Sequence, residues 1–116
     1  MMAKRSSVPS FDQLLNPTLA ALAALGGSSS IPELVERVIA DLRLPKEVVE
    51  QPHLGRGFTE LEYRLAWART YLKKYGLIEN SSRAVWSLTP KGIFKRAVEP
   101  QDVVKAVRAM FVSERK

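Results

Sequence analysis

Residues 59–92 constrain the fold more than any other part of the chain. Thr59-Glu60-Leu61-Glu62 has the form of a capping box. There a hydroxyl and a carboxylate three residues apart each satisfy a backbone N–H that the helix leaves open. The pattern predicts a helix over 59–75, stopped by Gly76; glycine just past a helix end takes the left-handed conformation at no steric cost. Two short β-prone runs follow, Leu77-Ile78-Glu79 and Val85-Trp86-Ser87-Leu88, with the polar turn Asn80-Ser81-Ser82-Arg83-Ala84 between them. They read as a β-hairpin. A third helix delivered straight into a hairpin is the order of a winged helix-turn-helix, and other small α+β domains share parts of it.

The flanking segments are helical in pattern. Ser10 is placed to cap a helix over 10–25, with Leu14, Leu15, Leu19, Leu22 and Leu25 at helical spacing. Pro17 falls inside it and predicts a kink or two short helices. Ser28 and Ser29 bridge to a second capping box, Ser30-Ile31-Pro32-Glu33. Leu34, Val35, Val38, Ile39 and Leu42 form the buried face of that helix. Pro45 opens a short helical stretch over 46–50, and a loop over 51–57 follows. Thr89-Pro90 caps a helix running to about Val98, and Pro100 begins a last one with the stripe Val103, Val104, Val107, Met110 and Phe111. The expected fold is mainly α with a small β-hairpin: a winged helix-turn-helix with an additional C-terminal helix. Residues 1–8 are expected to be disordered, 9–98 to form the winged-helix domain, and 99–116 to form the last helix and the start of a linker. That helix is expected to fold back on the domain; pairing with a second copy, giving a homodimer, is the alternative.

Composition excludes several classes. The 116 residues hold no cysteine, so disulfides, Cys–zinc sites and thiol catalysis are ruled out. His53 is the only histidine, which disfavours a His-based metal site. The longest apolar run, 19–25, is far too short to span a bilayer. No apolar stretch follows Lys4 and Arg5 to make a secretory signal. A cytoplasmic location and no membrane contact are expected. The net charge of +6 is unevenly spread: residues 59–98 carry eight basic and three acidic side chains. A concentrated basic block suits a polyanion, though a basic soluble protein of another kind shares it.

The run from Glu62-Tyr63-Arg64-Leu65-Ala66-Trp67-Ala68 through Leu72-Lys73-Lys74-Tyr75-Gly76-Leu77 to Arg83-Ala84-Val85-Trp86 and Thr89-Pro90-Lys91-Gly92 resembles the N-terminal domain of Mrr-type restriction endonucleases. The opening Val8-Pro9-Ser10-Phe11 and Pro17 are similar as well, so the likeness covers roughly 8–98. The resemblance implies a winged-helix domain that binds DNA and delivers it to a separate nuclease domain of the PD-(D/E)xK class, which targets modified DNA. This chain departs from the family at Ala84, where the pattern has glycine. Alanine does not tolerate positive φ as glycine does, so a different turn shape is expected.

On the wheel of the 59–75 helix, Leu61, Leu65, Ala68, Leu72 and Tyr75 share the buried face. Tyr63, Trp67, Thr70 and Lys74 lie near the opposite face, with Ala66, Lys73 and Glu62 beside them. Arg64 and Tyr71 flank the stripe on one side and Arg69 on the other. The candidate DNA-binding residues are Tyr63, Arg64, Trp67, Thr70, Lys73, Lys74, Ser82 and Arg83. Basic groups would meet phosphates, and polar or aromatic ones would reach base edges in the major groove. Several have a structural counterpart. Trp67 can pack on the hairpin or first helix, Lys73 and Lys74 can serve the helix dipole, and Ser81, Ser82 and Arg83 can form a solvated turn. Arg56 is a weaker candidate. No cofactor and no catalytic residue are expected: the nuclease-like string Asp102 with Glu114-Arg115-Lys116 falls in a helix, not on adjacent strands. The expected partner is double-stranded DNA, methylated DNA included. A stand-alone transcriptional regulator and a winged-helix protein–protein adaptor are the competing readings.

Overall fold

The computed structural model describes residues 7–55 and 57–115. Its order is α1 (Leu15–Ala24), β1 (Ser28–Ser30), α2 (Ile31–Leu42), α3 (Lys46–Val49), α4 (Glu60–Tyr75), β2 (Ile78–Ser82), β3 (Val85–Leu88), α5 (Pro90–Phe94) and α6 (Pro100–Glu114). The three strands form one antiparallel sheet in the order β1-β3-β2. β1 sits between the first two helices in sequence and pairs with the far strand of the hairpin, Ser29 opposite Trp86. That arrangement is a winged helix with an added C-terminal helix. The serine run carries no strand propensity, so its pairing comes from the hairpin beside it.

Both capping boxes form. Ser30 Oγ accepts from Glu33 N, and Thr59 Oγ1 accepts from Glu62 N. Gly76 closes α4 in the left-handed region at φ 93°. α1 begins later than its hydrophobic pattern suggests. Residues 11–14 form turns, and Leu14, not Ser10, is the residue before the helix. Pro17 therefore lies in the first turn, where its missing N–H would have had no partner, and the helix is not divided at it. Leu42 is exposed rather than part of the buried face of α2, and α5 ends at Phe94, short of the expected 98.

The core is built from Leu14, Leu15, Leu19 and Leu22 of the first segment, Leu34 and Val38 of α2, Leu61, Leu65 and Leu72 of α4, and Leu77 and Ile78 entering the hairpin. Val8, expected in a disordered tail, is buried in it, and the rest of that tail through Ser6 lies outside the described residues. α6 folds back against α4 and buries Val103, Val104 and Val107, while Met110 of its stripe remains exposed. The connection between α5 and α6 is pinned to α1: Asn16 Nδ2 donates to Val98 O at 2.9 Å, and Val98 N donates to Asn16 Oδ1 at 2.7 Å. Among the described residues no helix is long and apolar enough to cross a membrane.

Candidate nucleic-acid interface

α4 is flanked on both sides. The sheet meets it along the Arg69 and Lys73 side, through Trp86. α6 meets it along the Tyr71 and Lys74 side, where the Tyr71 and Phe111 rings stand edge to face at 6.0 Å. Between them lies an outward strip of Tyr63, Ala66, Trp67, Thr70 and the edge of Lys73; Lys74, which the wheel puts on the same face, is drawn to α6 instead. Leu61, Leu65, Ala68 and Leu72 point inward and are buried.

Tyr63 is more constrained than the wheel suggests. Its ring stacks on His53 at 3.8 Å between centroids and 14° between planes, with Phe58 near-parallel beside them. The loop before α4 therefore holds the start of the strip, and a backbone bond from His53 N to Phe58 O at 3.0 Å closes that loop. Arg56 of the same loop lies outside the described residues. Trp67 remains 42% exposed. It stands edge-on to Tyr71 at 6.3 Å and lines a cleft of about 450 Å³ with Phe11, Tyr63 and Arg64. A second cleft, along α6, is lined by Tyr63, Ala66, Trp67, Thr70 and Phe111.

Two expected phosphate ligands are engaged within the protein. Arg64 Nε donates to Glu60 Oε2 at 2.7 Å, and its Nη1 donates to Val8 O at 2.7 Å. It ties α4 to the N-terminal segment. Lys74 Nζ pairs with Glu114 at 2.6 Å and lies 5.3 Å from the Phe111 ring centroid, so it fastens α6 as much as it serves the helix dipole. Lys73, Ser82 and Arg83 are exposed. Arg83 and Ala84 form the tip of the hairpin, between the paired residues Ser82 and Val85. Ala84 adopts φ 61°, so the turn takes a left-handed residue in spite of its Cβ, at a steric cost.

Arg69 and Trp86 went unnoticed in the sequence as site residues. Arg69 is buried, with its guanidinium 5.6 Å from the Trp86 centroid, and burial alone pushes it below its ordinary pKa. The available signal was positional: an arginine one turn before Lys73, on the flank facing a strand tryptophan.

No metal-binding group of three or more His, Cys, Asp or Glu occurs among the described residues. Asp102 and Glu114 stand in the first and last turns of the single helix α6. Twelve residues separate them, about 18 Å along the axis, so they share no site with each other.

Among protein families, the model described as the Mrr N-terminal domain matches residues 11–95. The type IV methyl-directed restriction enzyme EcoKMrr of Escherichia coli (strain K12) is 28% identical over 99 residues, covering 85% of this chain and 32% of that relative. The chain thus spans about a third of the length of the curated relative it matches. No solved structure matches.

Proposed function

We propose, from the premise that the chain belongs to the Mrr N-terminal domain family, that it binds duplex DNA as the targeting module of a modification-dependent restriction system. It acts in the cytoplasm, and cleavage falls to a separate nuclease domain. The observation that carries the reading is the outward strip of α4, with Tyr63, Trp67, Thr70 and Lys73, open beside the exposed wing tip at Ser82 and Arg83. All lie in the basic block 59–98. The strip would enter the major groove, and the wing and Lys73 would meet phosphates. Arg64 and Lys74 support the surface from beneath rather than leading it. The relative named as methyl-directed makes methylated duplexes the first substrates to try.

Fluorescence anisotropy with a labelled duplex at two salt concentrations tests this. Binding should weaken steeply with salt, with a log–log slope of about −0.9 per phosphate contacted. Arg83→Glu and Lys73→Glu should each weaken binding to every duplex, because phosphate contacts carry no direct sequence information. Glu36→Lys on α2, outside the basic block, should leave it unchanged. No measurable affinity at low salt would sink the reading and bring the protein–protein adaptor forward.

A further inference from the structure

We infer that Arg69, Lys73 and Trp86 form a phosphate seat at the junction of α4 and β3, built to take a phosphodiester of duplex DNA. The inference rests on the DNA-binding reading above and adds to it a site buried at the edge of the strip. Arg69 is only 7% exposed, and neither its Nε nor its Nη1 has a hydrogen-bond acceptor among the described residues. Its guanidinium carbon lies 5.6 Å from the centroid of the Trp86 ring, and Lys73 Nζ lies 5.9 Å from the same centroid. The ion pairs of the described residues are Arg37–Asp41, His53–Glu60, Arg64–Glu60 and Lys74–Glu114, and none includes either cation.

Two cations therefore share one ring and lack an anion. An aromatic face returns only a fraction of what a cation loses on leaving water. An arginine buried this way with open N–H groups costs stability, and such costs persist in proteins where a ligand supplies the partner. The missing partner must be anionic and must accept several hydrogen bonds at once. A phosphodiester meets both needs: one non-bridging oxygen can take the exposed Lys73 ammonium, and the other can take the guanidinium edge once the helix–strand junction opens enough to bare Arg69 Nε and Nη1, which are shut off from solvent in this structure.

The position suits a DNA backbone. Arg69 and Lys73 are one turn apart on α4, on the flank between the outward strip and the hairpin that ends in Arg83. Lys73 is exposed and Trp86 is half-buried, so the seat opens to solvent at the lysine end. A purely structural Arg69, plugging the space between helix and sheet, makes the opposite prediction about stability.

Arg69→Met keeps a long apolar stem and removes the charge. It should leave the Tm unchanged or raise it, weaken binding to a short duplex by roughly tenfold or more at low salt, and reduce the salt slope by about 0.9. A slope and affinity equal to wild type would overturn the seat. If Arg83→Glu still weakens binding in that case, the DNA-binding reading stands without it. If the wild-type chain binds no duplex, both fall. Should Arg69→Met fail to fold, Trp67→Phe leaves Trp86 as the sole emitter of the two tryptophans. A change in its emission that saturates with duplex binding would support the seat, and unchanged emission through saturation would overturn it.

Discussion

One carboxylate oxygen of Glu60 meets His53 Nδ1 at 2.6 Å while the other accepts from Arg64 Nε at 2.7 Å. A single buried side chain in the first turn of α4 thus joins the preceding loop, the helix and, through Arg64, the carbonyl of Val8. The hydrogen bond to His53, aided by Arg64, holds the Glu60 carboxyl below its ordinary value of 4.5 against the opposing effect of burial. A carboxyl with a depressed folded-state pKa stabilises the fold above its unfolded value and loses that contribution as pH falls through the folded value. Wild-type stability to urea should therefore decline on acidification below about 4.5, and Glu60→Gln should flatten that decline. At neutral pH the same substitution should cost about 2 kcal/mol, the scale of hydrogen bonds to a charged group. An acid profile identical in wild type and Glu60→Gln would refute this role.

Ala84 stands at φ 61° at the wing tip, where an L residue with a Cβ is strained. Ala84→Gly removes the clash and should stabilise the domain by about 1 kcal/mol, less what the freer unfolded chain gains. Thermal unfolding of the two proteins decides it, and a lowered Tm for Ala84→Gly would contradict the strain.

Gly92 of α5 lies against the strand entry. A Cβ there would sit 2.1 Å from the carbonyl oxygen of Leu77, which already accepts from Thr89 N at 3.0 Å. Backbone cannot yield as a flexible side chain does. Gly92→Ala should destabilise by about 3 kcal/mol, the upper range for overpacking a tight site. A chemical denaturation midpoint within error of wild type would show that α5 shifts freely.

The parts of the fold with local causes were legible in the sequence. The capping boxes at Ser30 and Thr59, the stop at Gly76 and the stripe of α4 depend on neighbours a few residues away. What was not legible depends on distant partners. β1 is three serines that pair only because β3 lies beside them. The start of α1 moves past Ser10 because Val8 and Leu14 are buried in the core, Phe11 packs against it, and Arg64 binds the carbonyl of Val8. At the candidate site, the wheel places Tyr63, Trp67 and Thr70 outward. It could not show that Arg64 and Lys74 are engaged by Glu60 and Glu114, nor that Arg69 meets Trp86 across seventeen residues of sequence.

Thr70 is the side chain best placed to test base reading. It lies at the middle of the outward strip, half-buried between the cleft residues Trp67 and Phe111, and carries both a hydroxyl and a methyl group. A hydroxyl can bond either kind of base edge, and a methyl can touch the C5-methyl that thymine and 5-methylcytosine present in the major groove. In the proposed reading Thr70 meets no phosphate. Thr70→Ser, which loses the methyl alone, should change the ratio of affinities for methylated and unmethylated duplexes by up to about tenfold, near the low end of the roughly 1–3 kcal/mol assigned to one well-read base. It should leave the salt slope unchanged, because that slope counts phosphates. Lys73→Glu should do the reverse, lowering both affinities together with a shallower slope. Anisotropy titrations of both variants against a matched pair of duplexes separate the two roles. Equal losses on both duplexes for Thr70→Ser would mean that the strip does not read bases at this position.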